Sequence, residues 1–326
     1  MLRIAILGGA GLIGTHLTKA YLDAGHDVLV IDTACMEMPD TIATRARCYQ
    51  VDARETKLRH ILQQEQPDIV SYHVAQRTHP DMPCVEHTIP DADVHIRGLL
   101  NTLESCVAAS VHKIIFASGG NELFRGLCPA NACPLPFKEN TPLCPRRPRD
   151  ISKVAGEWYV RYYTRQYGLT HTILRYADVY AEAVSGSEPH PLNALLQALR
   201  HGQRPVVCEA VDEVRDCLFI DDVVRANLCV LERGQNQTLH IGSGEGHTLQ
   251  DLYALVADLL QREFEPLSLS SPLEEPSSMI LDNALASRVL EWQPTISFAE
   301  GVQRVVEALC GALAQVKESA LVTAVK

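Results

Sequence analysis

Short apolar runs alternate along the first half of the chain with stretches whose apolar residues recur at helical spacing. Leu2–Leu7 predicts a buried strand, and Ile13, Leu17, Ala20 and Tyr21 mark one face of a helix over about Ile13–Ala24. Gly25 and the run His26–Asp32 predict a second strand that ends in an acid. A third strand near Ala46–Val51, a helix over Lys57–Gln64 and a fourth strand over Asp68–Val74 follow. The polar stretch Gln76–Pro90 leads into an amphipathic helix, Asp91–Ala108, with Val94, Leu99, Leu100, Leu103 and Val107 on its apolar side. Strand five is predicted at Lys113–Phe116 and strand six at Thr170–Tyr176, with a helix over Arg149–Gln166 between them. The loop Gly126–Pro148 carries six prolines, too many for a helix or a central strand.

Strands separated by helices at this rhythm imply right-handed βαβ units. The expected class is α/β, a Rossmann-like doubly wound parallel sheet with a smaller mixed α/β substrate-binding domain. The division expected is residues 1–180 for the first, 181–314 for the second, with 215–243 packing back on the core, and a tail at 315–326. In the second half, Leu192–Leu199 reads as a helix. Arg215–Asp222 reads as a short strand whose acids cap a helix over Val223–Leu231. Thr238–Ile241 predicts another strand, and Leu249–Leu260 and Phe298–Leu309 predict helices.

The turn after the first strand carries the chemistry. Gly8, Gly11 and Gly14 stand three apart between a strand and a helix, the context of a dinucleotide-binding loop. The first permits a tight turn, the second lets backbone approach a pyrophosphate, and the third lets helix pack on strand. Leu12 and Ile13, which open the helix, are placed beside the cofactor. Asp32 lies 18 residues after Gly14, a spacing that suits a carboxylate on the adenosine ribose hydroxyls. Arg45 is the first arginine after it, so NAD is expected rather than NADP.

Composition narrows the partners. The 326 residues are 46% hydrophobic, enough for a full core, and the net charge is −11 with no basic block. A small-molecule substrate is expected, with no nucleic acid and no membrane as partner. The chain runs straight into a strand, and no apolar run reaches ~18 residues, so a cytoplasmic protein is expected. Its 11 cysteines are scattered, and the spacing of Cys128, Cys133 and Cys144 matches no zinc pattern. Reduced thiols and no metal are expected.

Beyond the glycine loop and Asp32, several short motifs recur in a fixed order. They are Asp52-Ala53, His73-Val-Ala75, Ser118, Pro145-x-x-Pro148 before Ser152-Lys153, Leu174–Tyr180, Val214–Asp216, Ile220–Val223, Ile241–Gly244 and Leu290–Pro294. Together they resemble the extended short-chain dehydrogenase/reductase family, in its NAD-dependent epimerase/dehydratase branch (UDP-glucose 4-epimerase-like), over Leu2 to about Leu309. By that resemblance Asp52 and Ala53 contact the adenine, Val74 and Ala75 line the middle of the cofactor, and Tyr176 lies near the nicotinamide. Lys153 holds the nicotinamide ribose, and Ser118 orients the substrate hydroxyl, although a strict count from Phe116 puts that position on Gly119. Glu122, Asp178 and Arg215 fall at substrate positions. For Arg215 an ion pair with Asp212 or Asp216 is the alternative. The resemblance also implies a homodimer through Asp91–Ala108 and Arg149–Gln166, with Trp158, Tyr159, Tyr162 and Tyr163 as its aromatic surface.

One departure stands out. The family's proton-transferring tyrosine precedes the lysine by four residues, and here that position is Arg149. A guanidinium stays protonated at neutral pH and is no general base, though its fork suits an anionic substrate group. Asp150, Glu122, Tyr176, Cys144, His79, His87 and His95 are the candidates for a replacement. The function expected is an NAD-dependent epimerase, dehydratase or sugar dehydrogenase acting on a sugar, nucleotide-sugar or other anionic metabolite with an atypical acid/base residue. The alternative is a catalytically silent NAD-binding sensor or scaffold.

Overall fold

The protein is described by a computed structural model, which covers residues 1–35, 38–75, 88–124, 135–182, 191–200, 203–207, 213–263, 267–268 and 278–309. Six strands of the first half are β1 (Arg3–Leu7), β2 (Asp27–Asp32), β3 (Arg47–Gln50), β4 (Ile69–Tyr72), β5 (Lys113–Gly119) and β6 (Thr170–Tyr176). Strand β7 (Asp178–Tyr180) follows at once. Later come β8 (Val206–Val207), β9 (Val214–Arg215), β10 (Cys217–Phe219), β11 (Gln237–Ile241), β12 (Leu267–Ser268) and β13 (Ser278–Met279). Seven of these form one sheet in the order β11-β6-β5-β4-β1-β2-β3, with every pair parallel. The pairs β7–β10, β8–β12 and β9–β13 form three small parallel ladders.

The period of two along β1 sorts the core into two layers. Ile4 and Ile6 face helix α1 (Leu12–Asp23), whose Leu17 and Tyr21 join them in one apolar cluster. Ala5 and Leu7 face the other way. They pack in a second cluster with Leu58 and Leu62 of α3 (Lys57–Glu65), Leu99 and Leu103 of α5 (Gly98–Ala108), and Val160 of α6 (Pro148–Tyr167). Short helices α2 (Asp40–Ala43) and α4 (Thr88–Ala92) lie between these elements. The sheet is therefore covered on both faces along its central strands, where β1 and β4 are almost wholly buried. Strand order reverses between β1 and β4, which opens a crevice at their carboxyl ends.

The predicted helix over Asp91–Ala108 is divided. Between α4 and α5 a π-helical turn spans Asp93–Arg97. The buried face is Asp91, His95, Leu99, Thr102, Leu103 and Cys106, whereas Val94, Leu100 and Val107 are half-buried. Polar residues tolerate burial there because they bond locally. Thr102 Oγ1 donates to the Gly98 carbonyl at 2.8 Å, and Ser105 Oγ donates to the Asn101 carbonyl at 2.6 Å.

The second half adds α7 (Pro191–Arg200), α8 (Ile220–Val230), α9 (Leu249–Leu260), α10 (Ala284–Leu290) and a helix over 298–309. The expected strand Arg215–Asp222 is instead β9 and β10, and α8 starts at Ile220. Its acids do not cap it: the N-cap is Phe219, without a side-chain cap. Asp222 is fully buried and accepts hydrogen bonds from the backbone N–H groups of Thr295 and Ile296, at 3.0 and 3.1 Å. Trp292 Nε1 donates to the Asp222 carbonyl at 3.0 Å. Carboxylate and backbone carbonyl of Asp222 together clasp the 292–296 segment.

On α6, Trp158, Tyr159 and Tyr162 are exposed, while Tyr163 is in the core. Among the described residues, no helix is long and apolar enough to cross a membrane, and no three acidic, histidine or cysteine side chains are grouped to hold a metal. Cys128, Cys133, Asp212 and the tail from 315 lie outside the described residues.

Candidate active site

The glycine loop sits at the reversal of strand order. Gly8 has φ +79°, and a Cβ on it would lie 2.6 Å from the carbonyl carbon and oxygen of His73. The turn after β1 and the turn after β4 cross there, backbone on backbone. A Cβ on Gly14 would lie 2.2 Å from the Gly8 carbonyl oxygen, so α1 touches the turn that precedes it. Gly11 differs: its Cβ would meet only the Gly8 oxygen, at 3.4 Å. That ordinary contact leaves the outer side of the loop clear for a pyrophosphate.

Gly11 is the N-cap of α1, with no side-chain cap and no acid in the first turn. The positive end of the helix is thus presented by Leu12, Ile13 and Gly14 without a competing carboxylate. Asp32, at the end of β2, accepts from Ala10 N at 3.0 Å and from Ala34 N at 2.9 Å. Its carboxylate is fixed between the turn after β1 and the turn after β2. These features fit a dinucleotide.

Further along the rim, Asp52 accepts from Arg54 Nε at 2.9 Å and Arg54 Nη2 at 2.6 Å, and these bonds hold its pKa below the ordinary range. Asn101 donates to the carbonyl of buried Ala53 at 2.7 Å. Val74 and Ala75 follow β4, half-buried and exposed. Tyr176, at the end of β6, lies with its ring 6.2 Å from that of His73 and donates its hydroxyl to Asn227 Oδ1 at 3.1 Å.

Helix α6 runs antiparallel to the strands, so its N-terminus reaches the same rim. Pro148 opens it, and Asp150 accepts from the Arg147 N–H at 3.3 Å, which fixes the start. Arg149 is half-buried in that first turn. One turn on, Lys153 Nζ donates to the Ala117 carbonyl at 2.8 Å and lies 5.4 Å from the Phe116 ring centre. Burial, then the Arg149 charge, push the Lys153 pKa down to about 8, while the charges of Glu122 and Asp91 act upward.

Ser118 is buried one residue before the end of β5. Its hydroxyl donates to Glu157 Oε1 at 2.8 Å, one turn below Lys153. Glu157 also takes Arg175 Nε and Nη2, both at 2.8 Å, and Arg161 at 3.0 Å. The serine hydroxyl is thus part of a buried charge network that the sequence did not announce. The next residue, Gly119, is the last of β5 and faces Glu122. Glu122 lies on the 3-10 turn Asn121–Phe124, and its Oε2 accepts the Gly120 N–H at 3.2 Å.

The other candidates for proton transfer are accounted for. Asp150 is engaged at the helix start. Burial drives the Tyr176 pKa up, and its hydroxyl is bonded to Asn227. Burial and the Lys153 charge push His95 down to about 2, and its Nε2 lies 3.5 Å from Asp91 Oδ1. Cys144 is half-buried, its N–H on the Leu123 carbonyl at 2.8 Å. His79 and His87 lie outside the described residues. At the substrate side, Arg215 pairs with Glu213 at 2.7 Å and with Asp178 at 3.6 Å. Asp216, one of its expected partners, is instead buried and accepts from Ser243 N and Oγ, both at 2.7 Å.

The model of the NAD dependent epimerase/dehydratase family matches residues 4–242. The chain belongs to this family. NAD is accordingly its cofactor, and the cradle formed by Gly8, Gly11, Gly14 and Asp32 fits it. The chain is 28% identical to a putative UDP-glucose 4-epimerase of Methanocaldococcus jannaschii over 304 residues, covering 93% of this chain and 97% of that one. Two solved structures are similar throughout. UDP-glucose 4-epimerase of Thermotoga maritima with UDP-glucose has a TM-score of 0.85 at 28% identity, covering 96% of this chain and 100% of that one. The Thermus thermophilus UDP-glucose 4-epimerase complex with NAD has a TM-score of 0.84 at 27% identity, covering 95% and 100%.

The open space at Gly11 gives a prediction for this member of the family. Gly11→Ala is expected to leave thermal stability almost unchanged and to weaken NAD binding about tenfold, or ~1.4 kcal/mol, because the methyl would take up space on the side of the loop that a bound pyrophosphate would face. Calorimetric titration beside a thermal melt checks it. Unaltered NAD affinity would show that the dinucleotide does not approach the loop at Gly11.

Proposed function

We propose that this protein is an NAD-dependent epimerase of sugar nucleotides whose site works without the family's tyrosine. The observation that carries this reading is the presence of Lys153 on the same strand-end rim as the glycine cradle and Asp32. NAD, when bound, supplies a reversible hydride acceptor. The residues do the rest. Asp32 binds the adenosine ribose, the N-terminus of α1 binds the pyrophosphate, and Lys153 holds the nicotinamide ribose. Arg149, one turn before Lys153, makes this corner cationic within an acidic protein and suits the phosphate or carboxylate of a substrate. Asp178 and Arg215 close the substrate side. The similarity of the whole chain to UDP-glucose 4-epimerases supports a UDP-sugar as the substrate class. The exposed Trp158, Tyr159 and Tyr162 on α6 support a homodimer through that helix, and we place the enzyme in the cytoplasm.

The test is incubation of the purified protein with NAD and, separately, UDP-glucose, UDP-galactose and UDP-glucuronate, followed by proton NMR of the sugars. Conversion of one of them to its 4-epimer is expected. NAD binding without conversion of any sugar would favour the silent sensor or scaffold, the reading that the loss of tyrosine at position 149 would favour.

A further inference from the structure

A strict count along the strand assigns the family's substrate-orienting hydroxyl to Gly119, and the structure shows what stands there. A Cβ on Gly119 would lie 3.2 Å from Glu122 Oε2 and 3.6 Å from its Cδ. The carboxylate therefore occupies the space over Gly119 into which a serine or threonine side chain would project. It is held in place, since Oε2 accepts the Gly120 N–H at 3.2 Å. Its neighbours on the turn, Asn121, Leu123 and Phe124, are buried, while Glu122 is half-exposed at the strand end. Lys153 is near enough for the carboxylate's charge to act on it. Ser118 is committed to Glu157, and Arg149 is no base.

We propose that Glu122 is the acid–base residue of this enzyme, its carboxylate replacing both the orienting hydroxyl and the tyrosine of its relatives. The inference rests on the epimerase reading above. In the forward step the O–H bond of the sugar hydroxyl breaks and its proton passes to a Glu122 oxygen. The hydrogen on the same carbon would leave with its electron pair to NAD held by the glycine cradle and Lys153, and a carbon–oxygen double bond would form on the sugar. Return of the hydride to the opposite face of that carbon, with the proton going from Glu122 back to the oxygen, inverts the centre, and charge and electrons balance over the cycle. The Gly120 N–H, 3.2 Å from Oε2, holds the direction of the carboxylate.

Two variants and one spectroscopic measurement test this. Glu122→Gln is expected to lower kcat for epimerisation by ~10²–10⁴, with NAD affinity by calorimetry kept within about threefold. Infrared difference spectra of the NAD-loaded wild type mixed with the UDP-sugar are expected to show a carboxylate band giving way to a carboxylic-acid band, and Glu122→Gln to lack that exchange. Gly119→Ser crowds the carboxylate and is expected to reduce turnover. A rise in turnover would mean that the missing hydroxyl is the defect, and would overturn the proposal. So would a Glu122→Gln enzyme that turns over like wild type, or a carboxylic-acid band that persists in it. A wild type that binds NAD and UDP-sugar yet neither reduces the cofactor nor converts the sugar overturns the epimerase reading itself.

Discussion

Glu157→Ala is expected to cost about 3–5 kcal/mol of folding stability. The side chain is fully buried on α6 and receives four hydrogen bonds from three residues: two from Arg175, one from Arg161 and one from Ser118. Arg175 is itself 3% exposed. Truncation would leave its guanidinium in the core without its charge partner and leave the Ser118 hydroxyl without its acceptor. Burial raises the Glu157 pKa, but the bonds and charges of Arg175, then Arg161 and Ser118, outweigh it, and the net shift is downward from 4.5. A depressed carboxylate pKa contributes stability that is complete above the unfolded value and is lost as pH falls through the folded one. The difference between wild type and variant should therefore be full at neutral pH and shrink below about pH 4.5. Urea unfolding at pH 7 and at lower pH measures both; a loss under ~1 kcal/mol at neutral pH would mean that water or another residue replaces the carboxylate.

Gly14→Ala should abolish measurable NAD binding, with at least a hundredfold loss of affinity, or ~2.7 kcal/mol. The added methyl would meet Gly8 O at 2.2 Å, Gly9 Cα at 2.6 Å and Gly9 C at 2.9 Å. All three are backbone atoms, so no side-chain rotation relieves the clash. Either the loop or α1 must move, and the pyrophosphate position is defined by both. Overpacking of this kind also destabilises by ~1–3 kcal/mol, which a thermal melt would show. Gly11→Ala makes the contrast, since the protein leaves room for that methyl. If both variants bound NAD equally well, the cradle would be too pliable to carry the role given to it.

Local spacing made the cofactor side legible. Gly8, Gly11, Gly14 and Asp32 lie within a single βαβ unit, and strand–turn–helix geometry converts their separation into position almost without reference to the rest of the chain. Lys153 was legible for the same reason, from its place on a helix. What escaped was decided by which way one side chain turns or by partners far along the sequence. Ser118 and Gly119 are adjacent, and alternation along β5 sends one toward Glu157 and leaves the other at the rim. A count could pose that question, but only the register of β5 against β6 answers it. Asp222 looked like a cap because it precedes a helix, yet its partners are at 295 and 296. Glu157 carried one faint signal, a carboxylate a single turn beyond Lys153 on the same helix face. The π-helical turn at Asp93–Arg97 left no mark in a pattern read at period 3.6.

The order of the sheet also bears on how the chain must be made. Strand β6 finds its outer neighbour only in β11, and 60 residues lie between Tyr176 and Gln237. During synthesis at ~5–20 residues per second, the part of the sheet emerging first has an unpaired strand border, Thr170–Tyr176, for several seconds. Such a border templates association with other chains. The nascent protein is most open to aggregation in that interval, and the arrival of residue 241, well after the cofactor cradle is complete, is what closes it.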